Sequence, residues 1–63
     1  MDYTFLIDAI SKELEREPNA NLYKERGRLR MLNGDSAGAM QDLQEASRLD
    51  PHILDGVEGE FRN

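Results

Sequence analysis

Apolar residues recur with a helical period in three segments of the chain. The first, residues 3–16, places them at i, i+3, i+4, i+7 and i+11: Tyr3, Leu6, Ile7, Ile10 and Leu14. The second and third segments, residues 21–32 and 36–49, show the same kind of spacing. Because a period near 3.6 is typical of amphipathic helices, the pattern predicts three helices and an all-α fold.

Turn residues separate the three predicted helices. Pro18 ends the first, and Asn33-Gly34 after the second favours a left-handed C-cap. The third ends before Pro51, and we expect a short irregular C-terminal tail after it. The expected helix N-caps are Asp2 or Thr4 for the first helix, the group Asn19-Ala20-Asn21 for the second, and Asp35 or Ser36 for the third.

Small residues occupy the predicted interface between the second and third helices. Gly27 lies inside a helix, where glycine costs about 0.5–1 kcal/mol relative to alanine. Ala39 and Ala46 are seven apart on the third helix and therefore lie on one line. These positions predict a close approach of the two backbones.

The spacing of six residues resembles one tetratricopeptide repeat, a helix–turn–helix unit of about 34 residues: Tyr23, Gly27, Ala39, Leu43, Ala46 and Pro51. The resemblance implies a full repeat at 20–53, a half-repeat helix at 1–18 and a tail or cap at 54–63. It implies a single domain, 1–63, in which three helices stack as an antiparallel array. Repeats of this family bind partners, so the resemblance implies a protein-interaction module.

Two arginines depart from the family pattern. Arg26 and Arg30 stand where the family usually has a leucine and an aromatic residue. One interpretation is that their stems cover apolar surface while their guanidinium groups stay in water. The alternative is an ion pair with Glu13 on the first helix. Asp42 and Glu45 are expected on the solvent-facing side of the third helix.

Composition excludes most chemistry. The chain has no cysteine and one histidine, His52, and it lacks a phosphate-binding loop or a nucleophile motif. We therefore predict no enzyme activity, no metal site and no cofactor. The net charge of −5 disfavours nucleic-acid binding. No apolar run approaches the roughly 18 residues that span a membrane, and no export segment begins the chain, so we expect a cytoplasmic protein.

Charge placement suggests where a partner binds. Residues 24–30 hold four cations and one acid, a net of +3 within an acidic chain. The family resemblance implies that the inner surface is lined by one face of the second helix: Asn21, Lys24, Arg28, Met31 and Leu32. Two cations beside two apolar side chains suit an acidic peptide or a terminal carboxylate.

Self-association is the alternative function. About three repeats are normally needed to bury the helix faces, and this chain has one and a half. A homo-oligomer, or a capping role in a longer array, would cover exposed apolar side chains. The candidates for that surface are Phe5, Met40, Ile53, Leu54 and Phe61.

Overall fold

Three helices make up the fold. A computed structural model describes residues 2–55, with α1 at Thr4–Arg16, α2 at Ala20–Leu32 and α3 at Ser36–Leu49. No strand occurs in the described residues. The all-α prediction is confirmed, and the helix boundaries agree with the sequence pattern to within one residue.

Side-chain caps define where α2 and α3 begin. Asn19 Oδ1 accepts the amide of Leu22 at 3.1 Å, so Asn19 is the member of the predicted Asn19-Ala20-Asn21 group that caps α2. Asp35 Oδ1 accepts the amide of Gly38 at 2.9 Å at the start of α3. The N-cap residue of α1 is Tyr3, which makes no side-chain cap hydrogen bond, so the predicted cap at Asp2 or Thr4 is wrong; Asp2 Oδ1 accepts the Thr4 amide at 2.8 Å just ahead of the helix.

A glycine turn joins α2 to α3. Gly34 has φ of +88°, the left-handed conformation that side chains rarely adopt. Its amide donates to the carbonyl of Met31 at 3.0 Å, which closes the end of α2. The predicted C-cap at Asn33-Gly34 is therefore confirmed.

The helices form an antiparallel array in which α1 and α3 each pack on α2 and, in the described residues, not on each other. The backbone amide of Tyr3 donates to Asn33 Oδ1 at 3.1 Å, which joins the start of α1 to the end of α2. The molecule is correspondingly flat, with principal extents of 28 × 26 × 16 Å. α2 is thus the central element, and its sequence decides what each side of it contacts.

Close packing of α2 on α3 depends on small side chains. A Cβ at Gly27 would lie 3.2 Å from both the Ala39 carbonyl oxygen and the Leu43 side chain. Ala39 and Ala46 are fully buried. The predicted close approach is confirmed, and it explains why a glycine is present inside α2.

After α3 the chain continues as turns. The amide of Ile53 donates to the Asp50 carbonyl at 2.9 Å, and that of Asp55 to the His52 carbonyl at 3.1 Å. The predicted tail, 54–63, lies outside the described residues from 56 onward. Within residues 2–55, no helix is long and apolar enough to cross a membrane.

Candidate interaction face and buried ionic cluster

The five residues of the predicted binding set share one side of α2, because they follow one another at i, i+3, i+7, i+10 and i+11. Asn21, Arg28 and Leu32 are exposed, while Lys24 and Met31 are half-buried. We call this set, Asn21, Lys24, Arg28, Met31 and Leu32, the α2 face. It combines apolar contact area with two positive charges.

Neighbouring side chains hold parts of the α2 face in place. Arg28 donates through Nε and Nη2 to the two carboxylate oxygens of Glu25, each at 3.3 Å. The Ser36 hydroxyl lies 3.9 Å from the Met31 sulfur. Lys24 makes no ion pair with any described residue. The Arg28–Glu25 pair orients one cation, and the Lys24 ammonium supplies the net positive charge of the face.

The opposite side of α2 carries a different set of arginines. Arg26 donates to Asp42 through Nε at 2.9 Å and through Nη2 at 2.7 Å, one bond to each carboxylate oxygen. Arg30 Nη1 donates to the same Asp42 Oδ2 at 3.0 Å. The Asp42 side chain is 3% exposed, against 16% for Arg26 and 25% for Arg30. These three residues form the ionic cluster.

Arg26 connects all three helices. Its Nη1 donates to the hydroxyl of Ser11 on α1 at 3.0 Å, and that hydroxyl donates to the Ile7 carbonyl at 2.8 Å. The guanidinium also lies over the Tyr23 ring, 5.5 Å from its centroid, within cation–π range. The hydrogen bond to Asp42 raises the pKa of Arg26 above its ordinary value, so the group stays charged. One side chain thus spans the gap between α1 and α3.

These contacts correct two expectations. Asp42 was expected on the solvent-facing side of α3, but it is buried, and its carboxylate accepts hydrogen bonds from two arginines of α2. Asp42 also lies between Ala39 and Ala46, where i, i+3 and i+7 share one face; that spacing was the available signal. Glu45 is half-exposed and pairs with Arg48 on its own helix.

The proposed ion pair with Glu13 also needs correction. Glu13 accepts from Arg16 at 3.2 Å on the surface of α1, while Arg26 and Arg30 bind the acid on the other neighbouring helix. The interpretation in which both guanidinium groups stay in water is wrong as well, because all three nitrogens of Arg26 donate within the protein and Nη1 of Arg30 donates to Asp42. Arg26 and Arg30 do bind an acid of a neighbouring helix, but that acid lies on α3 and not on α1.

A shallow groove lies between the end of α1 and the start of α2. It encloses about 290 Å³, and it is lined by Glu13, Arg16, Glu17, Asn19 and Leu22. The lining residues include two carboxylates and one guanidinium and no histidine. In the described part of the chain, no group of three or more acidic, histidine or cysteine side chains could hold a metal ion.

Comparisons with known proteins identify no relative. No family model, no curated protein and no solved structure matches the chain. The resemblance to a tetratricopeptide repeat therefore stays a prediction that depends on the residues quoted above. Since a three-helix arrangement hosts many functions, function has to be argued from the side chains.

Proposed function

We propose that this chain is a protein-interaction module whose α2 face binds an acidic segment of a partner protein. The observation that carries the proposal is the division of α2 into two sides. Arg26 and Arg30 on one side are neutralised in part by Asp42, whereas on the other side Arg28 is exposed and Lys24 is half-buried without an ion pair to any described residue.

The cations on the two sides of α2 require different explanations. Burying Arg26 and Arg30 against α3 serves packing, because their carboxylate partner belongs to the same chain. Lys24 has no such partner, and two cations four residues apart disfavour an isolated helix by a few tenths of a kcal/mol. An external carboxylate would pair with Lys24, as Glu25 already pairs with Arg28.

The apolar members of the α2 face supply the second part of the recognition. Leu32 is 56% exposed, and Met31 is an adaptable side chain that packs well against varied surfaces. Both lie one to two turns from the cations on the same side. A segment with an acidic residue and an apolar residue three or four positions apart would match this arrangement.

Fluorescence anisotropy tests the proposal with a labelled twelve-residue peptide of alternating glutamate and leucine. We expect binding that weakens as salt rises, and Lys24→Glu should lower the affinity about tenfold, equivalent to about 1.4 kcal/mol. Lys12→Glu is the matched control, because Lys12 is an exposed lysine on α1. A peptide in which glutamine replaces glutamate should not bind.

Equal effects of the Lys24 and Lys12 variants would reduce the interaction to net charge and refute a site on the α2 face. Absence of any binding at millimolar peptide would refute the proposal as a whole. The comparison of the two variants requires that circular dichroism shows both of them to keep their helices.

Self-association is the second candidate, favoured by apolar side chains on the outer helices. Phe5 on α1 is 82% exposed and Met40 on α3 is 51% exposed. Ile53 and Leu54 are half-buried, and Phe61 lies outside the described residues. Sedimentation from micromolar to millimolar concentration tests this candidate: a mass that rises, and rises less in Phe5→Ser, supports it. A monomer at every concentration contradicts it.

A further inference from the structure

We propose that the ionic cluster is itself a binding site, in which Arg30 receives one carboxylate from an aspartate or glutamate side chain of a partner. The site lies on the opposite side of α2 from the α2 face. It is therefore a second recognition point, and it does not depend on the first.

The ionic cluster has an excess of positive charge. Two guanidinium groups and one carboxylate carry a net charge of +1, and no other acid within residues 2–55 lies within ion-pair distance of either arginine. The Arg48–Glu45 pair, by contrast, joins one arginine to one acid. A positive charge in a partly buried site attracts an anion more strongly than the same charge in water.

Arg30 has hydrogen-bond donors that the ionic cluster does not use. A guanidinium has five N–H groups, and Arg30 uses only one of them, Nη1, toward Asp42. Arg26 is different, because Nε, Nη1 and Nη2 are all engaged. Arg30 Nε and Nη2 make no hydrogen bond to a described residue, and since no buried side-chain nitrogen there lacks a partner, neither of these two nitrogens is fully buried. Arg30 can therefore accept a new ligand without breaking the cluster.

A carboxylate suits the charge of the ionic cluster better than a phosphate does. A single carboxylate brings the cluster to neutrality, whereas a phosphate dianion would leave an excess negative charge beside Asp42. Guanidinium groups bind carboxylates through two parallel hydrogen bonds, and the unused edge of Arg30 provides that geometry. Asp42 already holds Nη1 of the Arg30 guanidinium, so less side-chain freedom is lost on binding.

NMR of the arginine Nε–Hε groups tests the proposal on the intact chain. The probe is the capped tripeptide acetyl-Gly-Glu-Gly-amide at constant ionic strength, with acetyl-Gly-Gln-Gly-amide as its matched control. We expect a saturable shift at Arg30, with a dissociation constant on the order of 10–100 mM for one charge-assisted contact. Arg48 should respond weakly and without saturation, because Glu45 already neutralises it.

Binding at Arg30 should also shift the Nε–Hε signal of Arg26, because both arginines donate to Asp42. Arg30→Gln should abolish that shift of Arg26 while the Arg28 signal responds as before, which separates this site from the α2 face. If that variant does not fold, the comparison of the two tripeptides on the wild-type chain still decides. Equal, linear drift of Arg30 and Arg48, or an equal response to the glutamine tripeptide, would overturn the proposal. Saturation by inorganic phosphate but not by the glutamate tripeptide would overturn the choice of a carboxylate.

Discussion

Replacing Asp42 by asparagine removes the carboxylate that Arg26 and Arg30 share while keeping the size of the side chain. The amide accepts at one oxygen only, and its NH₂ group faces guanidinium N–H donors. Removing one partner of a buried ion pair typically costs about 3–5 kcal/mol. Because Arg26 and Arg30 are 16% and 25% exposed, water relieves part of that penalty. We expect a loss of about 2–3 kcal/mol.

The assay is urea unfolding followed by circular dichroism at 222 nm, near pH 7. A domain of this size has an unfolding free energy of roughly 3–9 kcal/mol, so Asp42→Asn should move the midpoint strongly. Glu45→Gln is the matched control on the same helix. Glu45 pairs with the exposed Arg48, and a solvent-exposed pair contributes little to stability. The slope of the transition should stay unchanged in both variants.

A double-mutant cycle separates the interaction energy of the ion pair from the cost of leaving one partner buried without the other. Arg26→Met combined with Asp42→Asn should lose less stability than the sum of the single variants, since the most buried guanidinium is gone. Equal losses from Asp42→Asn and Glu45→Gln would refute the role assigned to the cluster. Additive losses in the cycle would refute direct coupling between Arg26 and Asp42.

Three further outcomes follow from the packing and the surface pairs. Gly27→Ala should lower the unfolding free energy by about 1 kcal/mol although alanine favours helices, because its Cβ would crowd the α3 backbone; greater stability in urea would contradict this. Ala46→Leu should cost about 1–3 kcal/mol or prevent folding, as circular dichroism would show; an unchanged midpoint would contradict full burial at this position. The hydrogen bond from Arg48 lowers the pKa of Glu45, so its small contribution is present above the unfolded pKa and is lost as pH falls through the folded one. Arg48→Gln should therefore raise the pKa of Glu45 in carboxyl ¹³C NMR, and an unchanged pKa would contradict the pairing.

The sequence predicted the helices because their boundaries depend on local chemistry. Asn33-Gly34 specifies a left-handed turn without help from the rest of the fold, and Pro51 cannot continue a helix. Gly27 was also informative, since an interior glycine is costly unless another backbone comes close. In each case the residue type limits the backbone directly.

The ionic cluster was harder to predict because its partners come from different helices. Arg26 and Arg30 could be recognised as unusual for their positions, but the acid that they bind depends on the rotation of α3. Asp42 stands among apolar positions of α3, a spacing that indicates burial, yet an aspartate suggests solvent. The choice between Glu13 and Asp42 required the packing of both neighbouring helices on α2.

Mapping of amide ¹H–¹⁵N shifts during titration with the glutamate–leucine peptide tests the proposed function most directly, because it locates the contact on the chain. The account predicts saturable shifts that concentrate on the α2 face: Asn21, Lys24, Arg28, Met31 and Leu32. The glutamine version of the peptide should leave them unmoved. Shifts centred on the outer side of α1 around Phe5, or no saturable shift at millimolar peptide, would contradict it.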